Sequence, residues 1–140
     1  MGRIYLQLSM MKLHHIALTV NDIDATIKWY QDIFGFQVIR RHKKRSSEIA
    51  HITLDDIRIE LFDYGQETKP LPEYRQALFS DLKVIGVKHF CLEATDLEKT
   101  VEDLRSQGVE IVTEIDTAGF GGKYVFIKDC NGVLIELYQE

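Results

Sequence analysis

The sequence lacks three features that would each mark a special class of protein. It has only two cysteines, Cys91 and Cys130. They are too few for a disulfide framework, which favours a reducing, cytoplasmic location. No apolar run approaches the roughly 18 residues of a membrane span. Basic residues are not in excess, since the net charge is −5, whereas binding to nucleic acid needs a positive face. We therefore expect neither a membrane nor a nucleic acid as partner.

The remaining composition is that of an ordinary soluble globular protein, with 45% apolar and 28% charged residues. A chain of 140 residues forms one compact domain or two small modules that share a core. Residues 1–8 have neither the apolar segment nor the small-residue cleavage site of a signal peptide. Two consecutive methionines, Met10 and Met11, precede the first strong strand. They suggest that residues 1–12 are a leader or precede an alternative start.

Hydrophobic periodicity predicts the same order of elements twice, namely strand, helix and three strands. Each predicted helix follows an aspartate that can cap it, Asp22 or Asp96, and ends at a glycine, Gly35 or Gly108. Both prolines fall between the two units, in a predicted linker that carries a short helix at 73–82. The predicted strands cover residues 13–20, 36–40, 48–54, 57–62, 86–95, 109–113, 123–128 and 133–138.

A shift of about 74 residues superimposes one unit on the other. His15 and His89 are 74 residues apart, and Glu60 and Glu136 are 76 residues apart. A near-constant offset indicates duplication, and each unit is too small to bury its own sheet face well. The sequence therefore predicts an α+β fold of two tandem βαβββ modules. The predicted boundaries are 13–63 and 86–140 for the modules, 64–85 for the linker and 13–140 for the whole domain.

The four duplicated polar residues, His15, Glu60, His89 and Glu136, lie opposite the aliphatic face of their strands. Because the aliphatic faces must pack under the helices, the other faces curl around a shared concavity as an incomplete barrel. Two imidazoles and two carboxylates that converge there suit a borderline divalent cation such as Ni, Zn, Co, Mn or Fe. The sequence therefore predicts a metal site with up to two positions left for water or substrate.

Four further features are open to more than one interpretation. His51 shares a strand face with Thr53, opposite Ile52 and Leu54, and this face is expected to line the same cavity. No residue of the second unit corresponds to His51, so a purely structural role is the other interpretation. His14 falls on the packing face or at the strand edge. Cys91 either lines the pocket or packs in the core. The basic run at 40–45 is a solvated loop or an electrostatic collar for an anionic thiol or CoA.

Several motifs resemble the glyoxalase I and vicinal oxygen chelate superfamily, and the resemblance covers residues 13–140. It implies paired βαβββ modules around a divalent metal, with His15, Glu60, His89 and Glu136 as ligands, the set of bacterial-type glyoxalase I. A turn with Cys130 and Asn131 replaces the family's usual proline and aspartate. No residues match those that hold the carboxylates of glutathione, so the thiol is not specified. The motifs are His14-His15-Ile16-Ala17-Leu18-Thr19-Val20 with Asp22, Ile59-Glu60-Leu61, Gly86-Val87-Lys88-His89, Asp129-Cys130-Asn131-Gly132 and Ile135-Glu136-Leu137.

The resemblance also implies a reaction, that of a lactoylglutathione lyase. The substrate would be the hemithioacetal of a 2-oxoaldehyde and a thiol, which is isomerised to a thioester. The metal stabilises the developing enediolate and so lowers the pKa of the neighbouring C–H group. Glu136 would be the base, and Glu60 a ligand and a possible second proton carrier.

Three other activities of the superfamily are alternatives. An enzyme like methylmalonyl-CoA epimerase uses similar ligands, but Glu48 is the one extra carboxylate in the first unit that suggests itself as a base. An extradiol dioxygenase needs two histidines and one carboxylate around Fe(II), so Glu60 would block its fourth position. A metal-free drug-binding resistance protein lacks the ligand set.

Exposed strand edges finally predict a symmetric homodimer, whose sites draw on both chains if modules are swapped.

Overall fold

The computed structural model describes residues 10–140, so the expected leader at 1–12 lies mostly outside the described residues. We call β1 to β4 with α1 the first module, and β5 to β9 with α4 the second. The first module and the linker contain β1 (Ile16–Thr19), α1 (Ile23–Phe34), β2 (Gln37–Lys43), β3 (Glu48–Leu54), β4 (Ile57–Asp63), a 3-10 helix (Gly65–Glu67), α2 (Glu73–Gln76) and α3 (Leu78–Asp81). The second module contains β5 (Phe90–Glu93), α4 (Leu97–Ser106), β6 (Glu110–Ile111), β7 (Asp116–Thr117), β8 (Lys123–Lys128) and β9 (Leu134–Gln139).

Both long helices begin after the predicted aspartates. α1 ends at Gly35 as predicted, whereas α4 has Gln107 as its C-cap, one residue before the predicted Gly108. The side chain of Asp22 accepts a hydrogen bond from the backbone N–H of Ala25, and that of Asp96 from Lys99. Each aspartate thus satisfies a backbone donor that the first helical turn leaves unpaired. At the other end, Gly35 has a φ of 85°, a left-handed conformation that favours glycine.

Each module forms its own sheet, with the first and last strands of the module parallel neighbours. The strand orders are β1-β4-β3-β2 and β5-β9-β8-β6, with β7 also paired to β8. The pairs β1–β4 and β5–β9 are parallel and the others antiparallel. Within residues 10–140 the two sheets do not close into a barrel. The predicted α+β fold of two βαβββ units is therefore confirmed.

The aliphatic faces of both sheets pack under the helices, as the alternation predicts. Ile59 and Leu61 on β4 are fully buried, as is Ile135 on β9, and all three belong to one core that spans both modules. Glu60, between the first two, keeps a partly exposed side chain. None of the helices among residues 10–140 is long and apolar enough to cross a membrane.

Several predicted strand bounds differ from the structure: the strand predicted at 86–95 covers only β5 (Phe90–Glu93), the one at 13–20 covers only β1 (Ile16–Thr19), and the one at 36–40 extends to Lys43 in β2. Two further differences have a visible cause. The strand predicted at 109–113 shrinks to β6, because the hydroxyl of Thr113 accepts the hydrogen bond of the Phe126 backbone N–H and so replaces a sheet partner. A separate strand, β7, then pairs with the other end of β8. The linker helix predicted at 73–82 is split in two, since Ala77 has an extended backbone with φ −110° and ψ 133°.

The β8–β9 turn joins the second module to helix α1 of the first. The buried hydroxyl of Tyr30 donates to Asp129 Oδ2 at 2.7 Å. Asn131 donates to Thr26 Oγ1 at 3.1 Å and accepts from the Asn21 backbone N–H at 2.9 Å. Burial raises the pKa of Asp129, although its hydrogen bonds favour the charged form. Asn131 of this turn therefore lies at a contact between the modules.

Candidate metal centre

In the first module, one glutamate is held between two histidines. His51 on β3 is the direct cross-strand neighbour of Glu60 on β4, and its Nε2 lies 2.6 Å from Glu60 Oε2. His15 precedes β1 by one residue, and its Nε2 lies 3.4 Å from the other oxygen, Oε1. The structure thus brings two predicted ligands, His15 and Glu60, together and adds His51 beside them.

His14 extends this cluster outward, although it was expected on the packing face or at the strand edge. It is exposed, and its Nδ1 lies 2.7 Å from His15 Nδ1. Its Nε2 lies 2.5 Å from Arg58 Nη1. A guanidinium can only donate, so His14 Nε2 is the acceptor. The positive charge of Arg58 is the main cause that lowers the pKa of His14. His14 is therefore a neighbour of the site rather than a packing residue.

In the second module, a histidine and a glutamate pair without a second histidine. His89 precedes β5 by one residue, and its Nε2 lies 2.9 Å from Glu136 Oε2 on β9. The direct neighbour of Glu136 on β8 is Phe126, at the position that corresponds to His51. Its ring packs edge-on against His89, with ring centroids 4.8 Å apart. His89 is thus held by a carboxylate on one side and an aromatic ring on the other.

The four predicted ligands are partly shielded from water, as metal ligands need to be. The side chains of Glu60 and Glu136 are 20% and 21% exposed, and those of His15 and His89 are 33% and 18% exposed. Two ring nitrogens, His51 Nδ1 and His89 Nδ1, are buried without a hydrogen-bond partner among the described residues. Such atoms are costly to leave unpaired. One of them belongs to the second pair, and the other to the histidine beside the first pair.

The structure holds the predicted ligands as two separate His–Glu pairs. Among residues 10–140, no hydrogen bond or ion pair joins one pair to the other. No group of three or more His, Cys, Asp or Glu side chains in this range is arranged to hold a metal ion. The donors nevertheless fit a borderline divalent cation chemically, since each pair offers one imidazole nitrogen and one carboxylate. Convergence of the two pairs on one cation stays a prediction.

Cys91 is the β5 neighbour of Glu136, so it lies next to the second pair. Burial raises the pKa of its thiol to about 11, and the charge of Glu136 adds to the effect. At neutral pH the free thiol therefore keeps its proton.

The basic run is largely a strand rather than a loop, because residues 40–43 belong to β2. Within it, Arg41 binds both Glu48 and Asp24. Glu48 is an odd number of residues from His51 along β3, so it lies on the opposite face of the sheet from Glu60. This ion pair removes Glu48 as a candidate base at the site.

A cleft of about 1120 Å³ lies beside the site rather than over it. It runs between β1, the linker and the β8–β9 turn, and its lining includes Ala17, Arg75 and Lys128 but none of the four predicted ligands. Next to the second pair, Leu78 of the linker packs on Phe126 and Leu134 in a small apolar cluster. Sequence reasoning missed this contact, because no local pattern shows where a linker packs.

Comparison with known proteins identifies the family. A model of the glyoxalase/bleomycin resistance protein/dioxygenase superfamily matches residues 12–137, and the chain belongs to that superfamily.

Similar curated proteins include two kinds of enzyme. The mitochondrial methylmalonyl-CoA epimerase of Mus musculus is 27% identical over 133 residues, which cover 91% of this chain and 72% of the epimerase. The lactoylglutathione lyase of Arabidopsis thaliana is 27% identical over 129 residues, which cover 89% of this chain but 43% of the plant protein. Among solved structures, a glyoxalase family protein from Enterococcus faecalis superimposes with a TM-score of 0.77 at 23% identity. It covers 92% of this chain and 98% of that one, and supports the fold alone.

Proposed function

We propose that the protein is a metal-dependent isomerase or lyase of the glyoxalase I type, which moves a proton between adjacent carbons of a 2-oxoaldehyde–thiol hemithioacetal. The observation that carries the proposal is the unequal setting of the two glutamates. Glu60 is engaged at both carboxylate oxygens, whereas Glu136 has one histidine contact and an aromatic neighbour. A shift of one proton between adjacent carbons needs one free base, and Glu136 provides it.

His15, Glu60, His89 and Glu136 would hold the divalent cation. When bound, such a cation supplies Lewis-acid stabilisation of negative charge on a substrate oxygen. His89 orients Glu136 through the 2.9 Å contact. Phe126 and Leu134, with Leu78 above them, exclude water from that side.

We propose further that the working form is a symmetric homodimer in which each site takes one His–Glu pair from each chain. Support comes from the segments that lead into the two histidines. Leu13 is 84% exposed before His15, and Ile85 and Val87 are 103% and 90% exposed before His89. Exposed apolar residues of this size, next to functional side chains, favour burial against a partner. A second copy of the chain satisfies both segments by symmetry.

Epimerisation of an acyl-CoA thioester is the second candidate, and the relatives favour it. The methylmalonyl-CoA epimerases of mouse and human align over 72% and 73% of their own length, against 43% for the plant lyase. Inversion at a carbon needs a base on one side and an acid on the other. Because Glu48 is bound to Arg41 on the opposite sheet face, the second group would have to be Glu60. A ring-cleaving dioxygenase and a metal-free binding protein have no comparable support from the two paired carboxylates.

The test replaces Glu136 by glutamine in the metal-loaded protein. We expect turnover of the methylglyoxal–thiol hemithioacetal to fall by about 10²- to 10⁴-fold with little change in KM, because the amide still coordinates but cannot take a proton. An acyl-CoA epimerase assay runs beside it, and proton exchange at the substrate carbon in D₂O is followed by NMR for both substrates. Glu93→Gln, an exposed carboxylate of β5, is the control for the loss of one charge.

The outcomes separate the candidates. Exchange with the hemithioacetal supports the glyoxalase-type isomerase, and exchange with the acyl-CoA supports the epimerase. If neither substrate exchanges a proton and a catechol consumes oxygen instead, the proposal is wrong.

A further inference from the structure

We propose that His51 is a positioning residue that fixes Glu60 as a one-oxygen ligand and so leaves Glu136 as the mobile carboxylate. This inference rests on the proposed metal site, and it assigns a role to a histidine that belongs to neither His–Glu pair. It also explains why two glutamates at duplicated positions would divide the work of ligand and base.

The geometry of the contact is that of a strong, oriented hydrogen bond. His51 Nε2 and Glu60 Oε2 are 2.6 Å apart, and the two residues are direct neighbours on adjacent antiparallel strands. His51 is 8% exposed, so its ring is held by packing. A carboxylate has no proton to donate, so the imidazole is the donor through Nε2–H. The bond therefore occupies Oε2 and leaves Oε1 as the oxygen that faces His15.

The buried Nδ1 of His51 strengthens this assignment. It has no hydrogen-bond partner among the described residues, so the contact with Glu60 is the one hydrogen bond that the structure gives this ring, which also lies beside the ring of His15. Burying a polar ring at this position costs free energy, and a phenylalanine of similar shape fits the corresponding position of the other module, as Phe126 shows. The fold therefore does not need a histidine there, and the contact with Glu60 is what the histidine adds.

A fixed carboxylate and a free one suit different tasks. Partners that hydrogen-bond to a ligand orient it and raise metal affinity. A base, in contrast, would need a carboxylate that is free to approach the substrate carbon. Glu136 has Phe126 where Glu60 has His51, so no second donor holds its carboxylate. The asymmetry at this one position would decide which glutamate stays and which moves.

The test makes the first module resemble the second through His51→Phe. In the full-length protein loaded with Co²⁺, we expect the dissociation constant of the metal to rise about 10- to 100-fold. We also expect the visible Co²⁺ absorption bands to shift, because Glu60 is no longer limited to one oxygen. His51→Gln keeps an N–H donor at a similar reach and should restore most of the affinity and the wild-type bands. Thr53→Val, two residues along the same strand face, is the matched control and should bind like wild type.

A readout that needs no metal separates this inference from the proposed function. In the metal-free protein, ¹⁵N-correlated NMR should show His51 with its proton on Nε2 and in slow exchange with water, and Glu60→Gln should shift that proton. His51 as the Nδ1–H tautomer would overturn the inference, as would a His51→Phe variant with wild-type Co²⁺ affinity and bands. If wild-type protein binds no metal while the Nε2–H signal is present, the proposed function fails but the hydrogen bond stands.

Discussion

The two modules keep the same pair of functional groups but surround it differently. Each has a histidine just before its first strand and a glutamate on its last strand, 3.4 Å and 2.9 Å apart. Around the first pair lie three further cationic or ionisable groups, His14, His51 and Arg58. Around the second lie an aromatic ring, a protonated thiol and a leucine from the linker.

The difference shows that the two modules share the His–Glu pair but not the residues beside it. Under the proposed metal site, each pair would have to keep its chemistry, whereas the residues beside it could differ between the modules. The polar surroundings in the first module contact both carboxylate oxygens of Glu60, and the apolar surroundings in the second leave Glu136 with fewer partners. The clearest difference is at one equivalent position, where the cross-strand neighbour of the glutamate is His51 in the first sheet and Phe126 in the second.

The contact between the modules is equally one-sided. Tyr30 of α1 reaches into the second module and binds Asp129. The residue 74 positions later, Leu104 of α4, is buried in the core without such a partner. The first module thus supplies the polar anchor and the second supplies the turn that receives it.

The largest effect is expected from substitutions in the His–Glu pair that the two modules share. His89→Ala should lower metal retention by orders of magnitude while the chain stays folded, because one of two imidazole donors is lost, and His15→Ala should do the same. Metal content after dialysis, measured by mass spectrometry with circular dichroism as a folding check, gives the result. His42→Ala removes an exposed histidine of β2 and serves as control. Unchanged metal content in His89→Ala would refute the ligand assignment.

Mixing two variants tests whether each metal site combines one His–Glu pair from each chain of a dimer. One chain carries His15→Ala with Glu60→Ala and the other His89→Ala with Glu136→Ala, so neither homodimer has a complete site. If each site takes one pair from each chain, a heterodimer regains one complete site and one bound ion. Metal titration after subunit exchange measures the recovery, and light scattering measures the mass. No recovered binding, or a strictly monomeric mass at micromolar concentration, would show that this assembly is wrong.

The smallest expected effect is at the anchor between the modules. Tyr30→Phe should lower the free energy of unfolding by about 1–3 kcal/mol, because it removes a buried hydroxyl donor from a carboxylate. Tyr138→Phe is the matched control: its hydroxyl binds the Gly121 carbonyl at an exposed site, so its loss should stay within about 0.5 kcal/mol. Urea unfolding compares the two variants. Equal losses in the two variants would mean that the Tyr30–Asp129 hydrogen bond contributes no more to the free energy of unfolding than an exposed one.

Much of the fold could be predicted because its signals are local. Asp22 and Asp96 cap helices through side chains three residues from their partners, and alternation over a few residues separates Ile59 and Leu61 from Glu60. The strands at 48–54 and 123–128 have the predicted bounds for the same reason. The repeat adds a second, independent copy of each signal, so the four candidate ligands could be named from the sequence.

Only the tertiary structure decided which side chains meet. Alternation tells which face His51 occupies, but its contact with Glu60 depends on the register between β3 and β4, which a local pattern does not fix. The same holds for Tyr30 and Asp129, which lie 99 residues apart, and for Leu78 of the linker against Phe126. The sequence by itself determined two modules and their duplicated donors, because periodicity and capping act over a few residues. Packing determined that the donors lie in two separate pairs with unequal neighbours, because contacts between distant strands depend on the whole chain.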